Sequence, residues 1–161
     1  MKRTYLKIFV ASLLLIGSLP FVACSNDDEG VENVITYDEL PSAANNFLST
    51  YFSGVDVSKI EKETTGGVVI YEVELKNNYE IVFNMDGNWI EVDAPSGMTI
   101  PSGIAPEVIE NYVNTNYPGY GINEINKTGM GYNVELTNGQ GGSGLTLSFN
   151  EAGEVVNTDY N

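Results

Sequence analysis

The chain has 161 residues, a formal net charge of −15, seven basic residues and no histidine. So few Lys and Arg side chains argue against a nucleic-acid-binding protein and against docking on anionic lipid through the protein surface. Without histidine, the common His-based metal and nucleophilic sites are excluded, and the single cysteine excludes an intrachain disulfide.

The first 23 residues have the pattern of an export signal. A basic start is followed by an apolar run, residues 8–16, that is too short to span a bilayer comfortably. Residues 21–24, Phe-Val-Ala-Cys, resemble a bacterial lipobox. We therefore predict that residues 1–23 are a lipoprotein signal peptide and that Cys24 carries the membrane-anchoring lipid. The alternative is an ordinary cleaved signal with an incidental cysteine.

Residues 24–37 are acidic and poor in large apolar side chains, which predicts a tether without a core of its own. Its stretch Ser-Asn-Asp-Asp-Glu, residues 25–29, resembles the signal that sends lipoproteins of Bacteroidota to the cell surface. The alternative is a solvated spacer. We expect a lipid-anchored protein of the bacterial outer membrane, exposed at the cell surface or, alternatively, facing the periplasm.

Two helices are predicted, each beginning at a proline that suits a first helical turn and ending near a glycine. Apolar residues recur at i, i+3, i+4, i+7 and i+8 in the first of them, which places them on one stripe that must be buried. The stripe residues are Ala44, Phe47, Leu48, Tyr51 and Phe52 in the first helix and Ile109, Tyr112, Val113 and Tyr117 in the second.

Four strands are predicted after each helix, because stretches of alternating apolar and polar residues are separated by short turns. Short turns between consecutive strands predict an antiparallel meander. The alternation gives each sheet one apolar face for the helix and one polar, acidic face that stays open to solvent. The predicted strands cover about residues 56–64, 68–75, 79–84 and 89–93, and then 121–128, 132–137, 145–150 and 154–159.

The two segments of helix plus strands are similar to each other. A shift of 65 residues places Phe52 on Tyr117 and Gly54 on Gly119. The sequence therefore predicts an α+β chain of two tandem repeats, each one helix packed on a four-stranded antiparallel meander. The two sheets are either separate or joined into one curved surface. The predicted units are a first repeat, residues 38–95, a linker, residues 96–103, and a second repeat, residues 104–161.

The candidate binding residues lie on the predicted open face. Several carboxylates on one face would raise the pKa of one of them by mutual repulsion. Trp89 is the only tryptophan, and it either lies beside Glu91 as an aromatic anchor or points inward and caps the core. The candidate partner-binding residues are Glu72, Glu74, Glu80, Trp89 and Glu91.

We predict no catalytic, metal-binding or cofactor-binding group. The pair Ser58-Lys59 cannot act together, since neighbours on a strand point to opposite faces. A glycosidase needs two carboxyl groups at a defined separation in a cleft, and nothing in the sequence indicates a cleft. The glycine-rich stretch 139–144 lacks the Lys-Ser/Thr of a phosphate loop and is typical of a hairpin tip.

A proline-started helix, four strands and a Phe-Asn-x-Asp-Gly-x-Trp hairpin, residues 83–89, together resemble the PepSY-like lipoprotein family, also known as beta-lactamase-inhibitor-like. The resemblance covers nearly all of residues 38–160. It departs in the second copy, where Ala152 replaces Asp86 and Val155 replaces Trp89. The resemblance implies sheets that join into one curved surface. A related inhibitor grips beta-lactamases with its concave sheet, and inhibitor activity here is an analogy only.

We therefore expect a lipid-anchored, non-enzymatic binding or inhibitor module whose acidic open face binds a protein or peptide, a basic one being favoured by charge. One alternative is a glycan- or peptide-binding accessory of a surface uptake system. Another is a periplasmic structural or folding-assist protein. No cofactor, metal or nucleic acid is expected.

Overall fold

The computed structural model describes residues 31–140 and 143–160. The predicted signal peptide, Cys24 and the first part of the acidic tether lie outside these residues. Among the described strands, each pairs antiparallel with the next one along the chain, which gives a single nine-stranded sheet. The strands are β1 (Val31–Val34), β2 (Val57–Thr65), β3 (Val68–Leu75), β4 (Glu80–Asn84), β5 (Trp89–Asp93), β6 (Gly121–Thr128), β7 (Gly131–Thr137), β8 (Ser143–Asn150) and β9 (Val155–Tyr160).

Two α-helices are described, α1 (Ser42–Tyr51) and α2 (Glu107–Asn116). Each begins one residue after a proline, Pro41 or Pro106, whose carbonyl oxygen accepts the first backbone hydrogen bonds of the helix. The predicted stripes are the buried sides of the helices, because the apolar side chains on them pack against the sheet. The fold is therefore α+β, with two helices and one antiparallel sheet.

One hydrophobic core includes residues from both helices and from the seven strands β2 to β8, and Val155 of β9 packs against it. Phe47 of α1 packs edge-on against Phe83 of β4, with ring centroids 5.5 Å apart. Tyr112 of α2 packs in the same way against Phe149 of β8, at 5.6 Å. These aromatic pairs fix each helix on its part of the sheet, since edge-to-face rings add to the burial of apolar area.

The Phe-Asn-x-x-Gly turns have a simple physical basis. The side-chain oxygen of Asn84 accepts the backbone N–H groups of Asp86 and Asn88, both at 3.0 Å. Asn150 makes the same pair of hydrogen bonds in the β8–β9 turn, at 3.0 and 2.9 Å. The asparagine thus satisfies turn N–H groups that the strand ladder leaves without a partner.

The segment predicted as a linker, residues 96–103, is fixed to the sheet. Asn123 lies at an irregularity in the β6–β7 pairing and is 3% exposed. Its amide nitrogen donates to the carbonyl oxygens of Ala94, Pro95 and Met98, at 3.0, 3.2 and 2.8 Å. Because this buried amide of β6 binds three carbonyl groups at and just after the end of β5, it holds the start of the linker against β6.

Strand β1 is not among the predicted strands and lies inside the segment predicted as a tether. Residues 31–34 pair with Glu61–Thr64 of β2. An edge strand forms on the unpaired backbone groups of its neighbour and needs no apolar pattern of its own, so the acidic composition did not reveal it. The eight predicted strands agree with the structure within two residues at each end.

Candidate functional site

The open face of the sheet carries a line of directly opposed acidic residues, which we call the acidic row. Strand pairing places Glu74 opposite Glu80, Glu80 opposite Asp93, Asp93 opposite Glu124, and Glu124 opposite Glu135. Directly opposed residues of antiparallel strands have Cβ atoms about 5 Å apart. The acidic row therefore crosses five strands, β3 to β7, without an intervening basic or neutral residue.

A single lysine stands at one end of the acidic row. Lys59 lies opposite Glu74, and its Nζ is 2.6 Å from Oε1 of Glu61. The hydrogen bond that the Lys59 ammonium group donates to Glu61 raises the pKa of Lys59. Within residues 31–140 and 143–160, the remaining lysines lie elsewhere: Lys62 and Lys127 pair with tyrosines of the helix-covered face, and Lys76 lies in the β3–β4 turn.

Two further glutamates lie beside the acidic row and are partly buried. Val82 lies opposite both Glu72 and Glu91 and is only 3% exposed. Burial, reinforced by the charge of Glu80, raises the pKa of Glu72 to about 7. Burial, reinforced by the charge of Glu124, raises the pKa of Glu91 to about 8. Desolvation disfavours the ionised carboxylate, and nearby negative charges disfavour it further.

The structure brings together four of the five predicted site residues. Glu72, Glu74, Glu80 and Glu91 share the open face, as the alternation predicts. The raised pKa values of Glu72 and Glu91 have burial as their larger cause, and the predicted repulsion between carboxylates only adds to it. Their neighbours Asp93, Glu124 and Glu135 are not among the predicted site residues. The alternation in β6 and β7 places Glu124 and Glu135 on the open face. Only the pairing of β5 with β6 brings them next to the carboxylates of β3 to β5.

Trp89 lies on the opposite, helix-covered face. It pairs with Phe83, a fully buried core residue, and packs against the core. An irregularity in the β4–β5 pairing lies between the Phe83 and Val82 positions and separates Trp89 from Glu91. Nζ of Lys127 lies 3.8 Å from the centroid of the Trp89 ring. Of the two alternatives for Trp89, the inward one is correct, and the open face has no tryptophan anchor.

A cavity of about 250 Å³ lies between the linker and the second helix. Its lining includes Thr99, Ser102, Glu110 and Asn114. The Glu110 carboxylate accepts the backbone N–H of Gly103 at 2.7 Å and the hydroxyl of Ser102 at 3.1 Å. This carboxylate therefore already holds the end of the linker against α2.

Two properties of the described residues bear on the kind of site. They contain no group of three or more Asp, Glu, His or Cys side chains placed to hold a metal ion. None of the helices in this part of the chain is long and apolar enough to cross a membrane.

Comparison with known families gives a direct match. A family described as "Putative beta-lactamase-inhibitor-like, PepSY-like" matches residues 29–75 and 69–157, most of the chain. The chain belongs to the PepSY-like family. The acidic row and the turn asparagines thus lie in the part of the chain that matches the PepSY-like family. Comparison with curated proteins gives no significant match.

Solved structures with the same fold come from Bacteroides. One, from Bacteroides thetaiotaomicron, is described as a putative calcium-regulated periplasmic protein; it is 29% identical, with a TM-score of 0.72, over 80% of this chain and 96% of its own. Two from Bacteroides vulgatus are described as putative periplasmic proteins, and each is 28% identical, with TM-scores of 0.73 and 0.71. They cover 83% and 81% of this chain and 99% and 98% of their own. The PepSY-like chain is thus similar, over nearly their whole length, to proteins that are described as putative periplasmic proteins.

Proposed function

We propose that this PepSY-like chain is a non-enzymatic binding or inhibitor module that holds a basic protein or peptide on its acidic open face. The acidic row is the observation that carries this proposal. Like charges directly opposite each other on adjacent strands are destabilising. Four consecutive pairs of this kind oppose folding, and a cationic partner would convert the repulsion into attraction.

The length of the acidic row supports a macromolecular partner. Neighbouring strands lie about 4.8 Å apart, so the five carboxylates extend over roughly 19 Å. A Lys- or Arg-containing surface or peptide of that length can meet several carboxylates at once. Among the described lysines, Lys59 is the one on this face, and it lies opposite Glu74, the end residue of the row. The side-chain amide of Asn126 donates to the Glu124 carboxylate at 3.4 Å.

The same proposal places the protein on the bacterial outer membrane, anchored through lipid on Cys24. The lipobox resemblance and the periplasmic relatives support this location. Metabolic labelling with a palmitate analogue should label the native chain and leave Cys24→Ser unlabelled. Protease treatment of intact cells then separates surface exposure from a periplasmic orientation: loss of the protein without lysis indicates the surface.

We also propose that the two halves are tandem repeats of one unit. A helix precedes β2–β5 and another precedes β6–β9. The β4–β5 and β8–β9 hairpins have the same irregularity before the pairs Phe83 with Trp89 and Phe149 with Val155. Solved structures of relatives that contain a single unit, folded alone, would test this proposal.

Binding is tested with two variants that lose the same charge. The face variant carries Glu74→Gln, Glu80→Gln, Glu124→Gln and Glu135→Gln. The control variant carries Asp38→Asn, Asp86→Asn, Glu107→Gln and Glu151→Gln, which are all exposed and off the acidic row. Envelope proteins are crosslinked to each purified chain and identified by mass spectrometry, with calcium and with a chelator, because one relative is described as calcium-regulated.

We expect native and control chains to capture the same basic partner and the face variant to lose it, with affinity falling steeply with salt. Equal capture by all three chains contradicts the proposal. A purified beta-lactamase assay tests the inhibitor form separately, since the family description names such inhibitors.

The cavity beside α2 favours a second candidate function, the binding of a small glycan or peptide. Its volume of about 250 Å³ is slightly below the usual range for a ligand site, about 300–1,000 Å³, and its lining mixes hydroxyl, amide and carboxylate groups. Asn114→Trp would fill the cavity from an exposed helix position. Loss of glycan-induced thermal stabilisation in this variant supports the second function, and flat thermal-shift screens of the native chain count against it.

A further inference from the structure

The β4–β5 and β8–β9 hairpins share one register but differ in what lies beside them. In the first, β6 pairs along the outer edge of β5 through residues 91–93. In the second, β9 is the last strand of the described sheet, so its outer edge carries no further strand within residues 31–140 and 143–160. The positions equivalent to residues 91–93 by this register are Asn157, Thr158 and Asp159.

The helix side of the first hairpin is also covered by the chain that follows β5. The hydroxyl of Tyr79 donates to the carbonyl oxygen of Thr99 at 2.8 Å, and the hydroxyl of Tyr51 donates to that of Gly103 at 2.9 Å. Phe52, against which Tyr79 packs, is only 6% exposed. The linker therefore covers the aromatic side chains at the C-terminal end of α1.

The corresponding place beside β9 has a partly exposed cluster of tyrosines, Tyr112, Tyr117 and Tyr120. Tyr117 packs against Tyr112 and Tyr120, with ring centroids 6.3 and 6.4 Å apart. Tyr120 is 36% exposed, and Tyr160, on the edge strand itself, is 79% exposed. Aromatic rings with hydroxyl groups beside a strand edge offer apolar area and hydrogen bonds to an added chain.

We propose that the outer edge of β9 is a strand-addition site for an extended peptide in which basic and apolar residues alternate. The peptide takes the place that β6 has beside β5. On the open face, the side-chain amide of Asn157 donates to the Asp159 carboxylate at 2.8 Å. A lysine or arginine of the peptide that lies opposite Asp159 forms an ion pair with it. On the other face, apolar residues of the peptide cover Tyr160 and the tyrosine cluster.

The charge of the chain selects this occupant over a second copy of the chain. Two copies paired through β9 would bring together two molecules with a formal charge of −15 each. Backbone hydrogen bonds of an edge strand provide affinity without sequence preference, and the alternating side chains provide specificity. The inference does not depend on the acidic row, which lies on strands β3 to β7.

The experiment uses the peptide Lys-Val-Lys-Val-Lys-Val-Lys as probe and the whole lipid-free chain as receptor. A matched probe has alternate backbone nitrogens methylated, which keeps charge and side chains but blocks strand pairing. Amide hydrogen exchange is followed by NMR with and without probe. We expect new protection of alternate amides of Val155–Tyr160 with the first probe and none with the methylated one.

Two charge reversals locate the contact. Asp159→Lys should weaken binding of the probe about fivefold, whereas Glu151→Lys, an equal change of charge in the exposed β8–β9 turn, should weaken it less than twofold. The face variant should keep the β9 protection. Equal binding of both probes, protection confined to β3–β7, no protection at all, or concentration-dependent dimers through β9 would overturn the proposal.

Discussion

Asp93 of β5 lies directly opposite Glu124 of β6, at the strand pair that joins β2–β5 to β6–β9. Two acids in this position weaken the junction electrostatically. The neighbouring pair on the other face, Val92 with Ile125, is fully buried, and Asn123 binds the chain just beyond β5. The junction between the two halves of the sheet therefore depends on core packing and a buried amide.

Stability should fall as the pH rises through the neutral range. The pKa values of Glu72 and Glu91, about 7 and about 8, lie above the ordinary value of 4.5. The folded chain holds these two protons more tightly than the unfolded chain does. The stability that the two groups contribute is therefore fully present below about pH 4.5 and is lost progressively as the pH rises to about 8. Allowing for solvent screening, we expect a loss of ~2 kcal/mol between pH 5.5 and pH 8.5 in urea denaturation.

Glu91→Gln should flatten this pH profile, since glutamine keeps the shape of the neutral acid and cannot ionise. Glu107→Gln, at an exposed helix position, should leave the profile unchanged. A Glu91→Gln profile as steep as that of the native chain, or stability that rises from pH 5.5 to 8.5, would contradict the assignment.

Gly87→Ala should destabilise the protein strongly. Gly87 has a φ of +80°, and an added Cβ would lie 2.7 Å from Cβ of Pro41 and 2.8 Å from the backbone nitrogen of Ala44. Backbone strain and overpacking together should lower the free energy of unfolding by about 3 kcal/mol. Gly54→Ala is the matched control, since φ is +79° with nothing within 4 Å, and only the strain of about 1 kcal/mol should remain. Equal losses would show that the turn does not pack closely on α1.

Asn123→Ala should loosen the connection between the two parts of the chain. Three carbonyl groups lose a buried donor, which should lower the free energy of unfolding by about 2 kcal/mol. Asn114→Ala, at an exposed helix position, should change it by less than about 0.5 kcal/mol. Hydrogen exchange should accelerate at Ala94 and Ile100, whose backbone N–H groups bind the carbonyl oxygens of Asn123 and Ile122. Unchanged exchange there would contradict the role of Asn123.

Lys127→Met should change the environment of the only tryptophan. The ammonium group of Lys127 lies 3.8 Å from the Trp89 ring centroid, so its removal should shift tryptophan emission and lower stability by about 0.5–1 kcal/mol. Lys62→Met serves as the control, since the Lys62 ammonium lies 5.9 Å from the ring of Tyr71. If both variants shift the tryptophan emission equally, the contact between Lys127 and Trp89 does not determine the emission.

The sequence by itself determined the two helices, eight strands within two residues at each end, and the faces of Glu72, Glu74, Glu80 and Glu91. These features are local: the spacing of apolar residues sets the buried side of a helix or strand, and glycine or asparagine sets the turns.

Only the tertiary structure decided the position of Trp89, the strand β1 and the continuity of the acidic row. An irregularity in the β4–β5 pairing places the Trp89 side chain against the core, whereas the sequence pattern did not decide on which face of the sheet it lies. β1 exists because the edge of β2 accepts it, and the row is continuous because β5 pairs with β6. Register and strand adjacency arise from contacts between residues distant in the chain, and no local pattern encodes them.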